Sequence, residues 1–166
     1  VSDGFRSTAG KVMPRQAAAR FSAEKKRAGR TVVFTNGCFD LLHVGHVTYL
    51  EGARACGDVL IVGMNTDASI RRIKGAGRPV QCQEDRARVL AALACVDAVT
   101  LFDEDTPFET VCAIRPTVLA KGADYGTKYD VVGWDIVEAG GGRVERIPLV
   151  EGKSTSDLIR RLNGQA

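Results

Sequence analysis

The feature that most constrains this chain is a repeated switch between two hydrophobic periods. Short runs that are apolar at nearly every position, at 31–35 (TVVFT), 58–64 (DVLIVGM), 96–102, 117–120 and 144–150, alternate with segments at helical spacing. A strand open to water on one face alternates apolar with polar residues. A strand that is apolar throughout is covered on both faces, as in parallel sheets flanked by helices. Helices are expected over 14–28, 44–56, 83–94, 107–114, 129–139 and 154–162, with Pro14 suited to a first turn and Gly29 and Gly57 to stops. Right-handed crossovers between such strands give an α/β domain, a Rossmann-like doubly wound parallel five-stranded sheet. Its ligands belong at the carboxyl ends of the strands, where the strand order reverses. Residues 1–30 read as a loose tail (1–13) and a lead-in helix, ahead of a domain over 31–166.

Composition narrows the function classes. The 166 residues carry 23 Lys+Arg against 20 Asp+Glu, and a net charge of +3 is too weak to suggest a nucleic-acid partner. The cluster Lys25-Lys26-Arg27 is read as the solvated face of the first helix. Five cysteines, an odd number with no C-x-x-C pair, speak against a disulfide framework or a zinc site and suit a reducing cytoplasm. No apolar run approaches the ~20 residues of a membrane helix. The two histidines, His43 and His46, fall within four residues of each other.

They lie in the loop after the first strand, Asn36-Gly37-Cys38-Phe39-Asp40-Leu41-Leu42-His43-Val44-Gly45-His46. A strand leads into a helix here, and free backbone N–H groups with the helix dipole favour an anion. Spacing of three puts both imidazoles on one side of the first helical turn. Gly45 between them lets a phosphate approach the backbone. Two imidazoles donating to one phosphate would stabilise charge that grows during substitution at phosphorus. The bland alternative is that they cap the helix. Cys38 has no general base other than these histidines, and the cysteines are given no nucleophilic role.

Three further loops carry polar signals. Arg71-Arg72-Ile73-Lys74-Gly75-Ala76-Gly77-Arg78 suits a polyphosphate, with Arg86 able to reach the same site from the next helix. Lys121-Gly122-Ala123-Asp124-Tyr125 follows the fourth strand and offers a cation, a carboxylate and a ring to a base or sugar. Glu151-Gly152-Lys153-Ser154-Thr155-Ser156 leads into the last helix, as a cap or a phosphate seat. It is not a P-loop, because Ile147 stands where the first glycine is required. Gly140-Gly141-Gly142 reads as a helix stop.

Together these residues resemble the cytidylyltransferase-like nucleotidyltransferases over nearly all of 31–162. His43-Val44-Gly45-His46 matches the H-x-G-H element, and Ser154-Thr155-Ser156 matches the S-T-T-type element with a final serine. Residues 35–43 and 121–125 are most similar to heptose-1-phosphate adenylyltransferases, which make ADP-heptose for lipopolysaccharide and related surface sugars. In many bacteria that activity is fused behind a sugar kinase, for which a chain of this length has no room.

The resemblance implies a cytoplasmic enzyme in which the phosphate of D-glycero-β-D-manno-heptose 1-phosphate attacks the α-phosphorus of ATP, with Mg²⁺ as counter-ion and pyrophosphate released. The partners so implied are ATP and the sugar 1-phosphate, with a separate sugar kinase in the same pathway and neither nucleic acid nor membrane. His43 and His46 would be catalytic. Gly37, Cys38, Phe39, Gly45, Lys74, Arg86, Lys121, Asp124, Tyr125, Ser154, Thr155 and Ser156 would meet the nucleotide and its phosphates. Asn65, Asp67 and Asp40 would meet the acceptor, Asp40 being also a candidate for the metal, whose ligands stay unknown. The family is often dimeric, so a homodimer is expected, without a legible interface. Leu149-Val150 replaces the Arg-Thr pair of glycerol-3-phosphate cytidylyltransferases and speaks against CTP with an alcohol phosphate, the alternative reading. Lys153 replaces an apolar residue there, a charge without a derived purpose. A nucleotide-binding protein without chemistry is the remote alternative.

Overall fold

A computed structural model of the chain describes residues 7–124, 126–162 and 164. Five parallel strands, β1 (Val32–Gly37), β2 (Val59–Asn65), β3 (Ala98–Phe102), β4 (Val118–Gly122) and β5 (Arg143–Ile147), lie in the order β3-β2-β1-β4-β5. The chain winds outward from β1 to β3, then returns to the other side of β1. The strand order therefore reverses between β1 and β4, as expected of a doubly wound sheet.

Alternate residues of each strand feed two cores. Val33, Leu60, Val62, Val99 and Val118 pack against α2 (Val44–Ala55) and α4 (Gln83–Ala92) through Leu50, Ala53, Leu90 and Ala91. Val32, Phe34, Ile61, Ala98 and Leu119 face the other way. They meet α1 (Arg15–Arg27), α5 (Phe108–Ile114) and α6 (Trp134–Ala139) through Ala18, Val111, Ile114 and Val137. Both faces are covered along β1 to β4, so those strands are buried at most positions, whereas the edge strand β5 buries only Ile147. The remaining helices are α3 (Asp67–Lys74) and α7 (Thr155–Leu162).

Several expectations are corrected. The described part of the tail, from Ser7, is not loose: Val12 forms a parallel bridge with Val99, and Lys11 Nζ donates to the Val96 carbonyl at 2.7 Å. The basic segment expected as a loop contains α3, capped by Thr66 Oγ1 accepting the Ser69 N–H at 3.1 Å. Asn36-Gly37 and Lys121-Gly122 belong to β1 and β4, because their neighbours β2 and β5 keep pairing with them. β5 stops at Ile147 because Pro148 follows and has no N–H for a ladder. The expected helix over 129–139 is a 3-10 turn, Lys128–Asp130, and the separate α6, divided at Gly133 with φ of 87°. Gly140–Gly142 stops α6 as read from sequence, with the Gly142 N–H donating to the Val137 carbonyl.

Candidate active site

The site begins as a parting in the sheet. β1 pairs with β2 as far as Gly37, but its ladder with β4 registers only Val33 with Val118 and Phe34 with Leu119. Beyond that point side chains span the gap. Tyr49 Oη lies 2.7 Å from Thr35 Oγ1 and donates to the Ala120 carbonyl at 3.2 Å. Lys121 Nζ, almost fully buried, donates to the Asn36 carbonyl at 3.4 Å. Above the parting opens a cleft of about 680 Å³, lined by residues after all five strands. That volume suits a nucleotide-sized ligand.

Fourteen of the sequence-derived site residues meet there: Gly37, Cys38, Phe39, Asp40, His43, Gly45, His46, Asn65, Lys74, Lys121, Asp124, Ser154, Thr155 and Ser156. Tyr125 lies outside the described residues. His43 stands extended just before α2, so the free N–H groups of the first helical turn face the same space. Its own N–H donates to His46 Nδ1 at 3.4 Å, and the two ring centroids are 4.0 Å apart with planes inclined by 31°. Because His46 Nδ1 accepts, the neutral ring carries its proton on Nε2. Phe39 packs 5.5 Å from the His46 ring from a left-handed backbone, φ of 45°.

Burial and neighbouring cations favour the neutral form of both imidazoles. Burial lowers the His46 pKa to about 4, assisted by His43 and Lys74. Burial and then the Lys153 charge lower that of His43. An entering phosphate would reverse this pressure by adding negative charge beside both rings. His43 Nδ1 is buried without a hydrogen-bond partner among the described residues. Burial brings the Lys121 pKa down to about 8, against the opposing charges of Asp124 and Cys38.

Gly45 has a more local reason than close approach of a phosphate. A Cβ at this position would lie 2.9 Å from Cε1 and Nδ1 of His43 and 3.1 Å from the Lys153 Cβ. The missing side chain makes room for the catalytic candidate itself.

Two expected phosphate or acceptor residues lie elsewhere. Arg86 is buried and does not line the cleft. Its guanidinium donates to the carbonyls of Gln81, Cys38 and Asn65 at 3.1, 2.6 and 3.0 Å, and pairs with Asp67 at 2.6 Å. Asp67, engaged by that pair, does not line the cleft either. They tie together the loops that form its floor. Asp40 borders the cleft, but its carboxylate accepts from the N–H groups of Val80 and Gln81 and from Arg78 Nε at 2.7 Å. Burial alone would raise the Asp40 pKa, and these donors hold it below the ordinary value instead. Its oxygens anchor the segment between α3 and α4.

The basic segment also divides. Arg72 pairs with Asp103 and Asp105, while Lys74 and Arg78 line the cleft. Ser154 fulfils the capping reading, its Oγ accepting the Asp157 N–H at 3.0 Å and donating to that carboxylate at 2.8 Å. Thr155 Oγ1 donates to the Leu41 carbonyl at 3.4 Å and so joins α7 to the histidine loop. Tyr49, which reads in the sequence as a core residue of α2, also reaches the site through its hydroxyl. Leu149, seen only as a departure, lines the cleft beside Gly122.

Comparison with known proteins agrees with this geometry. The family model described as cytidylyltransferase-like matches residues 34–153. The chain is 59% identical over 138 residues to the bifunctional protein HldE of Syntrophotalea carbinolica, covering 83% of this chain and 28% of that protein. It is 51% identical over 162 residues to HldE of Trichlorobacter lovleyi, covering 98% of this chain and 33% of that protein. The chain thus spans about a third or less of these curated relatives. Among solved structures, the lipopolysaccharide core biosynthesis protein from Thermoplasma volcanium GSS1 superimposes with a TM-score of 0.61. It is 25% identical and covers 75% of this chain and 100% of its own.

Proposed function

Since the chain belongs to the cytidylyltransferase-like family of nucleotidyltransferases, we propose that it transfers AMP from ATP to D-glycero-β-D-manno-heptose 1-phosphate. The products are ADP-heptose and pyrophosphate. In this reading residues 31–166 form the transferase domain, and residues 1–30 its tail and lead-in helix. The observation that carries the reading is the His43–His46 pair, 4.0 Å between rings, at the head of α2 in the cleft where the strand order reverses. Support for the acceptor comes from the bifunctional relatives, of which this chain spans about a third. In this reading a sugar-kinase activity would supply the sugar 1-phosphate, and the setting would be cytoplasmic, where free thiols such as Cys38 and Cys82 persist.

The chemistry is an in-line substitution. An oxygen of the sugar phosphate forms a bond to the α-phosphorus of ATP, and the bond to the bridging oxygen breaks with its electron pair leaving on pyrophosphate. His46 Nε2–H and the His43 ring donate to the oxygens of the five-coordinate phosphorus, where negative charge is concentrated in the transition state. The α2 N–H groups add to that field. Nucleotidyl transfer from a triphosphate runs with a divalent cation, here Mg²⁺, which neutralises phosphate charge when bound. Among the described residues no three His, Cys, Asp or Glu side chains are grouped for a metal ion. That donor set fits an ion held chiefly by the phosphates themselves, with Asp124 as a candidate carboxylate in the cleft.

Incubation with ATP, Mg²⁺ and the heptose phosphate should release pyrophosphate and form ADP-heptose. Turnover with CTP and glycerol 3-phosphate, and none with the heptose, would overturn the substrate assignment.

A further inference from the structure

Asn65 lines the cleft with very little of its surface exposed, so what it offers a ligand depends on how its amide is held. An asparagine amide donates from one end and accepts at the other, and the two ends are nearly alike in shape. Packing alone does not choose between them. A hydrogen-bonded neighbour does.

That neighbour is Ser69, fully buried in the first turn of α3 and absent from the lining of the cleft. Its hydroxyl donates to the backbone carbonyl of Glu104 at 3.2 Å. A carbonyl has no hydrogen to give, so the single hydroxyl proton is committed there. Only lone pairs of Ser69 Oγ are left for Asn65. Asn65 Nδ2 accordingly donates to Ser69 Oγ at 3.0 Å. The other end of the amide, Oδ1, faces the cleft-lining Cys38, whose thiol is a weak donor at 3.9 Å. The polarity of Asn65 is therefore set from behind, with its acceptor oxygen on the Cys38 side.

The Glu104 carbonyl is in turn held from outside the cleft. Arg15 Nη2, on the lead-in helix α1, meets both carboxylate oxygens of Glu104 at 2.6 and 2.5 Å. The next residue, Asp105, pairs with Arg72 of α3 at 2.9 Å and walls the cleft together with Thr106 and Pro107. The segment before α1 grips the same edge of the sheet. There Val99 N–H donates to the Lys11 carbonyl at 2.8 Å, and Met13 N–H to the Val99 carbonyl at 2.9 Å. Residues 11–15 are thus joined through one loop to a side chain of the site.

We propose that Ser69 is a positioning residue, which fixes the Asn65 amide so that Oδ1 meets a hydroxyl donor of the bound substrate. Arg15 brings the lead-in helix into the same device by clamping Glu104. The proposal rests on the nucleotidyl-transfer reading above, in which the hydroxyl belongs to the sugar of either ATP or the acceptor.

A double-mutant cycle of Ser69→Ala with Asn65→Ala tests it on the full chain, by pyrophosphate release with ATP and the heptose phosphate varied in turn. Ser69→Ala should lower kcat/KM about fivefold, as for one misdirected neutral hydrogen bond. The substrate whose KM rises identifies the source of the hydroxyl. With Asn65 already alanine, Ser69→Ala should cost less than about twofold more, because the two act as a unit. Arg15→Met, at a half-buried side chain, is a second variant that leaves α3 intact. It should cost about threefold in the parent and nothing measurable in the Asn65→Ala background. Without substrates, Ser69→Ala should shift the Asn65 side-chain amide protons seen by NMR and speed their exchange. Equal Ser69→Ala losses with and without the Asn65 amide would mean that Ser69 only stabilises α3, and would overturn the proposal. Unmoved Asn65 amide signals would overturn it as well. A parent that releases no pyrophosphate sinks the transferase reading instead, and the Asn65 amide signals then decide the orientation by themselves.

Discussion

Replacing Gly45 by alanine should separate activity from stability. The added Cβ would lie 2.9 Å from two atoms of the His43 ring. Relaxed contacts between such atoms are about 3.5–4.0 Å, so the ring must move by roughly 0.5 Å or more. Movement toward His46 is blocked, because the ring centroids are already 4.0 Å apart. His43 must therefore leave its pairing position. Misplacement of a catalytic group by about 1 Å costs on the order of a hundredfold in rate. Stability has an offsetting gain, since alanine is favoured over glycine in a helix by up to about 1 kcal/mol. Against this stands a shift of a few tenths of an ångström at Lys153, whose Cβ is 3.1 Å from the new one. Gly45→Ala should thus unfold in urea within about 1 kcal/mol of the parent, while kcat for pyrophosphate release falls about a hundredfold. A folded variant with kcat within about threefold of the parent would refute the claim that this glycine seats a catalytic histidine.

Three other outcomes are expected. His43→Ala and His46→Ala should each lower kcat about 10²–10³-fold, with ATP affinity by calorimetry changing little; near-normal kcat would remove that histidine from the mechanism. Stability should rise as pH climbs from about 4 toward 6.5, because the unfolded chain binds a proton on His46 that the native chain refuses. Urea midpoints across that range should show a shallower slope for His46→Gln, and an unchanged slope would contradict the depressed pKa. Arg86→Met should cost about 3 kcal/mol by leaving Asp67 and three carbonyls without their donor, and a loss below about 1 kcal/mol would mean that the floor of the cleft is held otherwise.

Residues whose partners are other side chains in regular periods were readable in the sequence. The runs that became β1 to β4 were readable because burial on both faces imprints itself on most positions, whereas β5 buries only Ile147 and carries that mark weakly. His43 and His46 were readable as well, since a strand-to-helix loop turns a spacing of three into a shared face. Arg86 and Asp40 were not. Arg86 is held largely by the carbonyls of Cys38, Asn65 and Gln81, and Asp40 by the N–H groups of Val80 and Gln81. Any residue supplies such backbone groups, so the sequence bears no mark of the contact. The helix α3 was hidden by its charges: Arg71, Arg72 and Lys74 looked like a loop, and the signal that could have found it was Thr66 as an N-cap.

The short ladder between β1 and β4 also bears on the mechanics of the molecule. A parallel sheet resists shear through its rows of backbone bonds, and here one seam has two registered pairs and then side-chain links from Tyr49 and Lys121. The sheet is in effect two stiff plates, β3-β2-β1 and β4-β5, joined along a compliant seam that runs into the cleft. A ligand lying across that seam, touching His43 on one plate and Asp124 on the other, would act as a cross-brace. Its binding would then be expressed as stiffness: slower amide exchange along the free ends of both plates, with little change in their average positions.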